Sequence, residues 1–384
     1  AGSAYTFTYT TVGEIMAWII GWDLILEMLM AGSVISKYWG VYLNDFMRLM
    51  GWNANTNLTF GSFHIDIAPI IIVAFFTTLL VFGTKIGARV DGAMTVLKIA
   101  IVFFVVIVGF FYVKASNFTP FIPPSQPAST VEGSSAVTGV MTQPLWQFAT
   151  GMTPSVYGVP GILSGAALVF FAFIGFDVVA TASEETKNPH KNVPLGIGVG
   201  MLLIIVMYML VAVVTTGMVS YADLAKQDSP SLATAFELVG ADWAAKIISF
   251  GIVLGLATVV MVLLLGLTRI VFAMSRDGLL PRGLSKTGKH GTPAALQIVV
   301  GAVVALVAAF FDIGVLSDMV NIGTLSAFTL VAISIPIMRK KRPDLPRAFK
   351  MPGSPWIPIL IAVANFWLML NLSVLTWIRF VVWL

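Results

Sequence analysis

Few residues in this chain combine chemistry with an apolar setting. In WDLILE, Asp23 and Glu27 stand four apart, so a helix would put both on one face. Lys98 is the only cation in the run GAMTVLKIAIVFFVVIVGFFYV, and Arg269 interrupts LGLTRIVFAMSRDG. Asp177 follows Gly175 in the middle of FFAFIGFDVVA. Each ionisable group at such a position is expensive and needs a reason. Glu27 could meet an ammonium group or a partner lysine, or bond across helices as a structural group, and Asp23 fits the structural role better. Lys98 lies about seven residues, roughly 10 Å of helix, from the basic loop before it. It could snorkel its ammonium to an interface, or it could be a desolvated lysine that loses and regains a proton. Arg269 reads as a snorkelling anchor. Gly175 beside Asp177 has the pattern of a broken helix, whose freed carbonyls can hold an ammonium group.

The elements that must position these residues are membrane spans. The 384 residues are 58% hydrophobic and 10% charged, with a mean hydropathy of +0.93, where a soluble domain has about 25% charged residues. The net charge of +4 is too small for a nucleic-acid protein, and the pI near 9.2 reflects basic loops. There is no cysteine, which excludes disulfides, zinc-cysteine sites, iron-sulfur clusters and thiol nucleophiles from these residues. The three histidines, His64, His190 and His290, lie in polar stretches, so no His relay or His-based metal site at membrane depth is expected.

Apolar runs near the spanning length fall at 13–34, 67–83, 92–113, 161–182, 195–218, 243–274, 294–311, 316–338 and 355–372, with a stub from 374. This predicts an all-α integral membrane protein of about ten segments, residues 1–384 forming one polytopic domain. The chain opens at AGSAYTFTYTTVGE without Met and stops inside the apolar TWIRFVVWL; the expectation is a piece of a longer protein. The loops at 84–91, 183–194, 275–293 and 339–354 carry most of the 22 Lys and Arg residues, so these loops are expected on the cytosolic side. The stretches 35–66 and 114–160 then face outward, and a surface helix is expected at 231–239. Gly161-xxx-Gly165, Gly196-xxx-Gly200 and Gly251-xxx-Gly255 read as close helix packing.

At these residues the chain resembles the amino acid, polyamine and organocation transporter superfamily, specifically its cationic amino acid transporter branch and bacterial relatives. The matching strings are AGSAYTFTYTTVGE with AWIIGWDLILE, FFAFIGFDVVATASEETKNPHKNVPLGI, TRIVFAMSRDGLLP, and NIGTLSAF with RKKRPDLPRAFKMPGSPWIP. They occur in the family's order along the whole chain. The resemblance implies a LeuT-like fold of two inverted five-helix repeats, broken at mid-membrane around the substrate, here truncated to family helices 3 to 12. The glycine-rich break of family helix 1, which holds the substrate carboxylate, has no counterpart in these residues.

The same resemblance places the substrate ammonium against carbonyls of Phe171, Ala172 and Ile174, with Gly175 permitting the break. It makes Glu27 a border of the substrate site and puts Lys98 where sodium-coupled relatives hold sodium, a proton-coupling position. Thr258 offers a hydroxyl nearby. Arg276, Asp277 and the EETKNP loop match cytosolic motifs with gating or structural roles. The implied function is secondary active, proton-coupled import of arginine, lysine or ornithine across a bacterial cell membrane, with no cofactor. Small neutral amino acids such as alanine, or polyamines, are alternatives, and a channel or a non-transporting sensor is the rival of another class. Nucleic acid is not an expected partner; the lipid bilayer and protons are, and relatives leave room for a small accessory membrane subunit. A membrane enzyme fits poorly, because no span pairs a Ser with a base.

Overall fold

The computed structural model describes residues 5, 9, 13–52, 56–60, 63–83, 87–130, 139–176, 179, 186–227, 230–288, 292–341, 343, 351 and 353–384. Its framework is α1 (Glu14–Leu49), α2 (Ile67–Phe82), α3 (Gly87–Phe110), α5 (Gly158–Val169), α6 (Pro189–Met218), α9 (Asp242–Arg276), α10 (Ala294–Phe310), α11 (Ile313–Lys341), α12 (Trp356–Leu370) and α13 (Val374–Trp383). Between them lie the hairpin β1 (Asn57–Phe60) and β2 (Phe63–Asp66), the small pair β3 (Gln126–Pro127) and β4 (Ser155–Val156), and three short helices. These are α4 (Leu145–Thr150), α7 (Tyr221–Ala225) and α8 (Leu232–Leu238). Five described helices, α1, α3, α6, α9 and α11, are long and apolar enough to cross a membrane; α2, α5, α10, α12 and α13 are shorter apolar helices.

The apolar runs became helices close to their expected limits, because each is bounded by turn residues. The exceptions are α5, which ends at Val169, short of the expected 182, and α1. α1 continues through Leu49, well past the expected end at 34, so part of the stretch 35–66 is helix and not loop. At 36 residues it is about 54 Å long, more than the roughly 30 Å hydrocarbon thickness, so it must tilt or project. Four polar residues from Ser33 to Asn44 find partners that carry the helix onward. Ser33 and Ser36 donate back to the carbonyls of Leu29 and Ser33, Lys37 donates to the carbonyl of Ala308 at 3.0 Å, and Asn44 pairs with Thr56. The expected surface helix at 231–239 is α8, opened by a capping box of Ser231 and Thr234. Arg48 at the end of α1 reaches Glu237 of α8 at 2.8 Å, an exposed pair contributing at most about 1 kcal/mol.

The core is a seam in which α1 lies antiparallel on α9. A Cβ added to Gly21 would meet the Met274 side chain, and one added to Gly32 would come 3.5 Å from Val304 and 3.9 Å from Leu263. These small residues let the helices approach closely. Ile20, Leu24, Leu267 and Ile270, with Val304 of α10 beside them, pack there with almost no exposed surface. α11 packs along another side of α1, where Leu26, Met319, Ile322 and Leu325 are buried together with Phe380 of α13. In contrast, α3 and α6 leave most of their apolar side chains on the surface.

Candidate functional site

The helix that begins at Gly158 does not run through its apolar stretch. After Val169 the backbone tightens into a 3-10 turn over Phe170–Phe173, Ile174 is extended at φ −67° and ψ 141°, and Gly175 takes φ +110°. Only glycine adopts that backbone readily, so Gly175 fixes the place where the helix stops. Ending a helix leaves carbonyls without intrahelical donors, and several are taken by neighbours. The carbonyl of Leu168 accepts from Asn321 Nδ2 of α11 at 3.0 Å, that of Phe171 accepts from the Ile174 amide at 3.1 Å, and that of Ala172 accepts from the Tyr208 hydroxyl of α6 at 2.7 Å. No described residue donates to the carbonyl of Ile174. Asp177, the acid expected to accompany the break, lies outside the described residues.

Three aromatic contacts from two helices hold the break. Phe328 of α11 touches Phe176 and Phe170, with ring centroids 5.2 and 6.3 Å away, and Tyr208 meets Phe173 edge-on at 5.2 Å. Between the break and α6 lies a cleft of about 310 Å³, lined among others by Ala172, Ile174, Gly175, Gly196, Gly200 and Tyr208. A Cβ on Gly196 or Gly200 would meet nothing within 4 Å. The small-residue pattern on α6, expected to pack against a helix, instead walls this cleft.

Glu27 has no exposed surface. Its neighbour Leu26 clusters with Ala167 and Phe170, so Glu27 and the break share one depth of the bundle. Lys98 and Thr258 each meet Gly255 of α9. The Lys98 stem lies over Gly255 of α9, with Cγ 3.2 Å from the place a Cβ would take, and Thr258 Oγ1 donates to the Gly255 carbonyl at 3.0 Å. Gly255 thus lets α3 bring its lysine against α9.

These two constellations are not adjacent. Gly32 faces Leu263, and Gly255 lies eight residues beyond Leu263, away from the level of Glu27. Along the antiparallel seam, Glu27 and Gly255 are about 20 Å apart at 1.5 Å per residue. Thr258, expected beside the substrate with Glu27, instead stands at the level of Gly255 and Lys98, while Glu27 stands at the level of the break.

At the end of the bundle near Gly21, the Tyr5 hydroxyl donates to Asp277 Oδ2 at 3.0 Å and Arg276 stands 3.5 Å from the Asp277 carboxylate. Burial, and then the bond to Asp277, push the Tyr5 phenol above its ordinary range. Asp277 thus holds Tyr5 at the end of α9, away from both constellations.

The structure adds three functional candidates, Tyr208, Asn321 and Ser326. Asn321 and Ser326 lie in the string NIGTLSAF, yet nothing in their local pattern says that one meets a carbonyl of the break and the other an acid on α1. Tyr208 is the one tyrosine in the apolar run 195–218, the signal available for it.

A family model described as amino acid permease matches residues 1–382. The chain is 42% identical to the branched-chain amino acid permease BcaP of Bacillus subtilis, over 100% of this chain and 77% of that protein. It is 36% identical to the methylthioribose transporter of Bacillus subtilis, again over 100% of this chain and 77% of that protein. It is 35% identical to the cationic amino acid transporter 3, mitochondrial, of Arabidopsis thaliana, over 88% of this chain and 52% of that protein.

Proposed function

Because the chain belongs to the amino acid permease family and is a multi-pass membrane transporter, not an enzyme, we propose that it moves neutral aliphatic amino acids by alternating access, driven by protons. The observation that carries this reading is the helix break at Gly175, level with the buried Glu27. A substrate ammonium would take the backbone carbonyl of Ile174 there, that of Phe171 beside its bond from the Ile174 amide, and that of Ala172 where the Tyr208 hydroxyl yields it. The aliphatic preference follows the branched-chain permease named above, and an apolar side chain fits the Ile, Phe and Gly character of the break.

Lys98 is the proton carrier in this reading. The lysine stem lies against Gly255 and so links α3 to α9, and loss of its proton removes a charge from that interface. The whole chain then works as one unit of the LeuT-like inverted-repeat type, in a cell membrane with its basic loops in the cytosol. A cationic substrate is the second reading, favoured by one observation: Glu27 supplies a carboxylate at the depth of the break, and the plant relative named above is a cationic transporter.

The test is uptake by the full-length protein in proteoliposomes under an imposed proton gradient, with labelled isoleucine and unlabelled competitors. Concentrative isoleucine uptake, blocked by leucine and valine and left unchanged by arginine, is the expected result. Arginine competition moves the assignment to cationic substrates. Equilibration without accumulation makes the protein a channel, and binding without uptake makes it a sensor.

A further inference from the structure

Asp23, one turn before Glu27 on α1, has no exposed surface. Its carboxylate has one described partner, the Ser326 hydroxyl of α11, which donates to Oδ2. Oδ1 has no hydrogen-bond partner among the described residues, and none of the described ion pairs includes Asp23. The contact is tight because Gly323, one turn before Ser326, brings the backbones together: a Cβ there would come 3.2 Å from Leu26 Cδ2 and 3.6 Å from the Asp23 carbonyl.

The titratable groups on the surrounding elements leave Asp23 without a counter-charge. On its own helix the neighbour is Glu27, another buried acid. α9 presents Met274 towards α1, and its cations Arg269 and Arg276 are exposed, Arg276 pairing with Asp277. On α11, Asp318 is engaged by Thr376 of α13 and has Arg379 beside it. Towards α13, Trp22 of α1 stacks on Trp383.

An ionised carboxylate taken out of water with one neutral hydroxyl as partner is costly, and either a proton or water removes that cost. While α1 and α11 are closed on each other, water has no access to Asp23. We propose that Asp23 is a proton-binding site separate from Lys98, holding a proton while α1 and α11 are in contact and releasing it to water when they part. The closed contact would then be a proton-dependent latch on the inner faces of two packed helices, and its opening would be tied to proton release. Only the link to transport rests on the permease reading; the proton-binding site itself does not.

The experiment is infrared spectroscopy of the full-length protein in detergent at neutral pH without substrate, comparing wild type with Asp23→Asn and Ser326→Ala. The expected result is a carbonyl stretch of a protonated carboxylic acid that is absent in Asp23→Asn and shifted in Ser326→Ala. Identical bands in all three overturn the proposal. If Asp23→Asn does not fold, the shift in Ser326→Ala decides alone. For the link to transport, the pH profile of isoleucine uptake should flatten in Asp23→Asn, and a profile superimposable on wild type overturns that link even where the infrared band stands. Absence of isoleucine uptake by wild type removes the proposed transport of neutral amino acids and leaves the infrared result intact.

Discussion

α6 and α9 are equally apolar over their best membrane-spanning stretches, yet half of that stretch is buried in α9 and 6% in α6. Each carries two glycines four apart. On α9, Gly251 and Gly255 receive Ile101 and Lys98 of α3 within contact distance of a Cβ, whereas on α6 the corresponding Gly196 and Gly200 face open space. Hydropathy therefore selects what crosses a membrane and says nothing about what a helix packs against. A small residue closes an interface only where a side chain of another helix is aimed at it, and otherwise it leaves a cleft, as it does beside the break at Gly175.

The largest effect should come from filling these glycines. Gly251→Leu drives a side chain into Ile101 and should destabilise the purified protein by about 1–3 kcal/mol. Gly200→Leu meets no neighbour and should change stability by less than about 0.5 kcal/mol while narrowing the cleft at the break. Thermal melting of the two variants checks this, and equal losses would break the contrast between the helices.

Next comes the break itself. Gly175→Val imposes a backbone of φ +110° on a branched residue, a strain of about 1–3 kcal/mol. The expected outcome is a protein that reaches the membrane but transports far more slowly, read as uptake per amount of protein. Unchanged uptake would mean that the backbone at this point has no part in the cycle.

Tyr208→Phe removes the hydrogen bond to the Ala172 carbonyl, worth about 0.5–1.5 kcal/mol. If the hydroxyl competes with the substrate ammonium, the variant should show a lower KM for isoleucine at a similar stability; a raised KM would make Tyr208 part of the substrate's own cage.

The smallest effect lies in the connection after α6. Asp223 accepts from Ser220 at 2.7 Å and Lys226 at 3.2 Å, and these partners, Ser220 first, hold its carboxyl below the usual range. A carboxylate lowered in the folded state stabilises at neutral pH and loses that contribution as the pH falls through its folded value. The melting temperatures of wild type and Asp223→Asn should differ slightly at pH 7 and converge in acid. A difference that grows in acid would contradict this.

The spans were legible in the sequence because apolar runs and turn residues are local signals. The extension of α1 to Leu49 was not, since Ser33, Ser36, Lys37 and Asn44 look like the end of a span until their partners on α1, α10 and before β1 are known. Gly175 could be read as the break from its place in FFAFIGFD, and its backbone at φ +110° has that form. The depth of Lys98 relative to Glu27 could not, because it depends on which residues of α9 face α1 and α3. The same holds for Ser326, whose meaning comes from an acid 303 residues away.

The central claim is that Lys98, set against Gly255 on α9, couples a proton gradient to amino acid movement. Its most direct test is isoleucine accumulation by the full-length Lys98→Ala protein in proteoliposomes with an acid exterior. The account predicts that the variant still equilibrates isoleucine across the membrane but no longer concentrates it. Accumulation equal to wild type, with the same dependence on external pH, would contradict it.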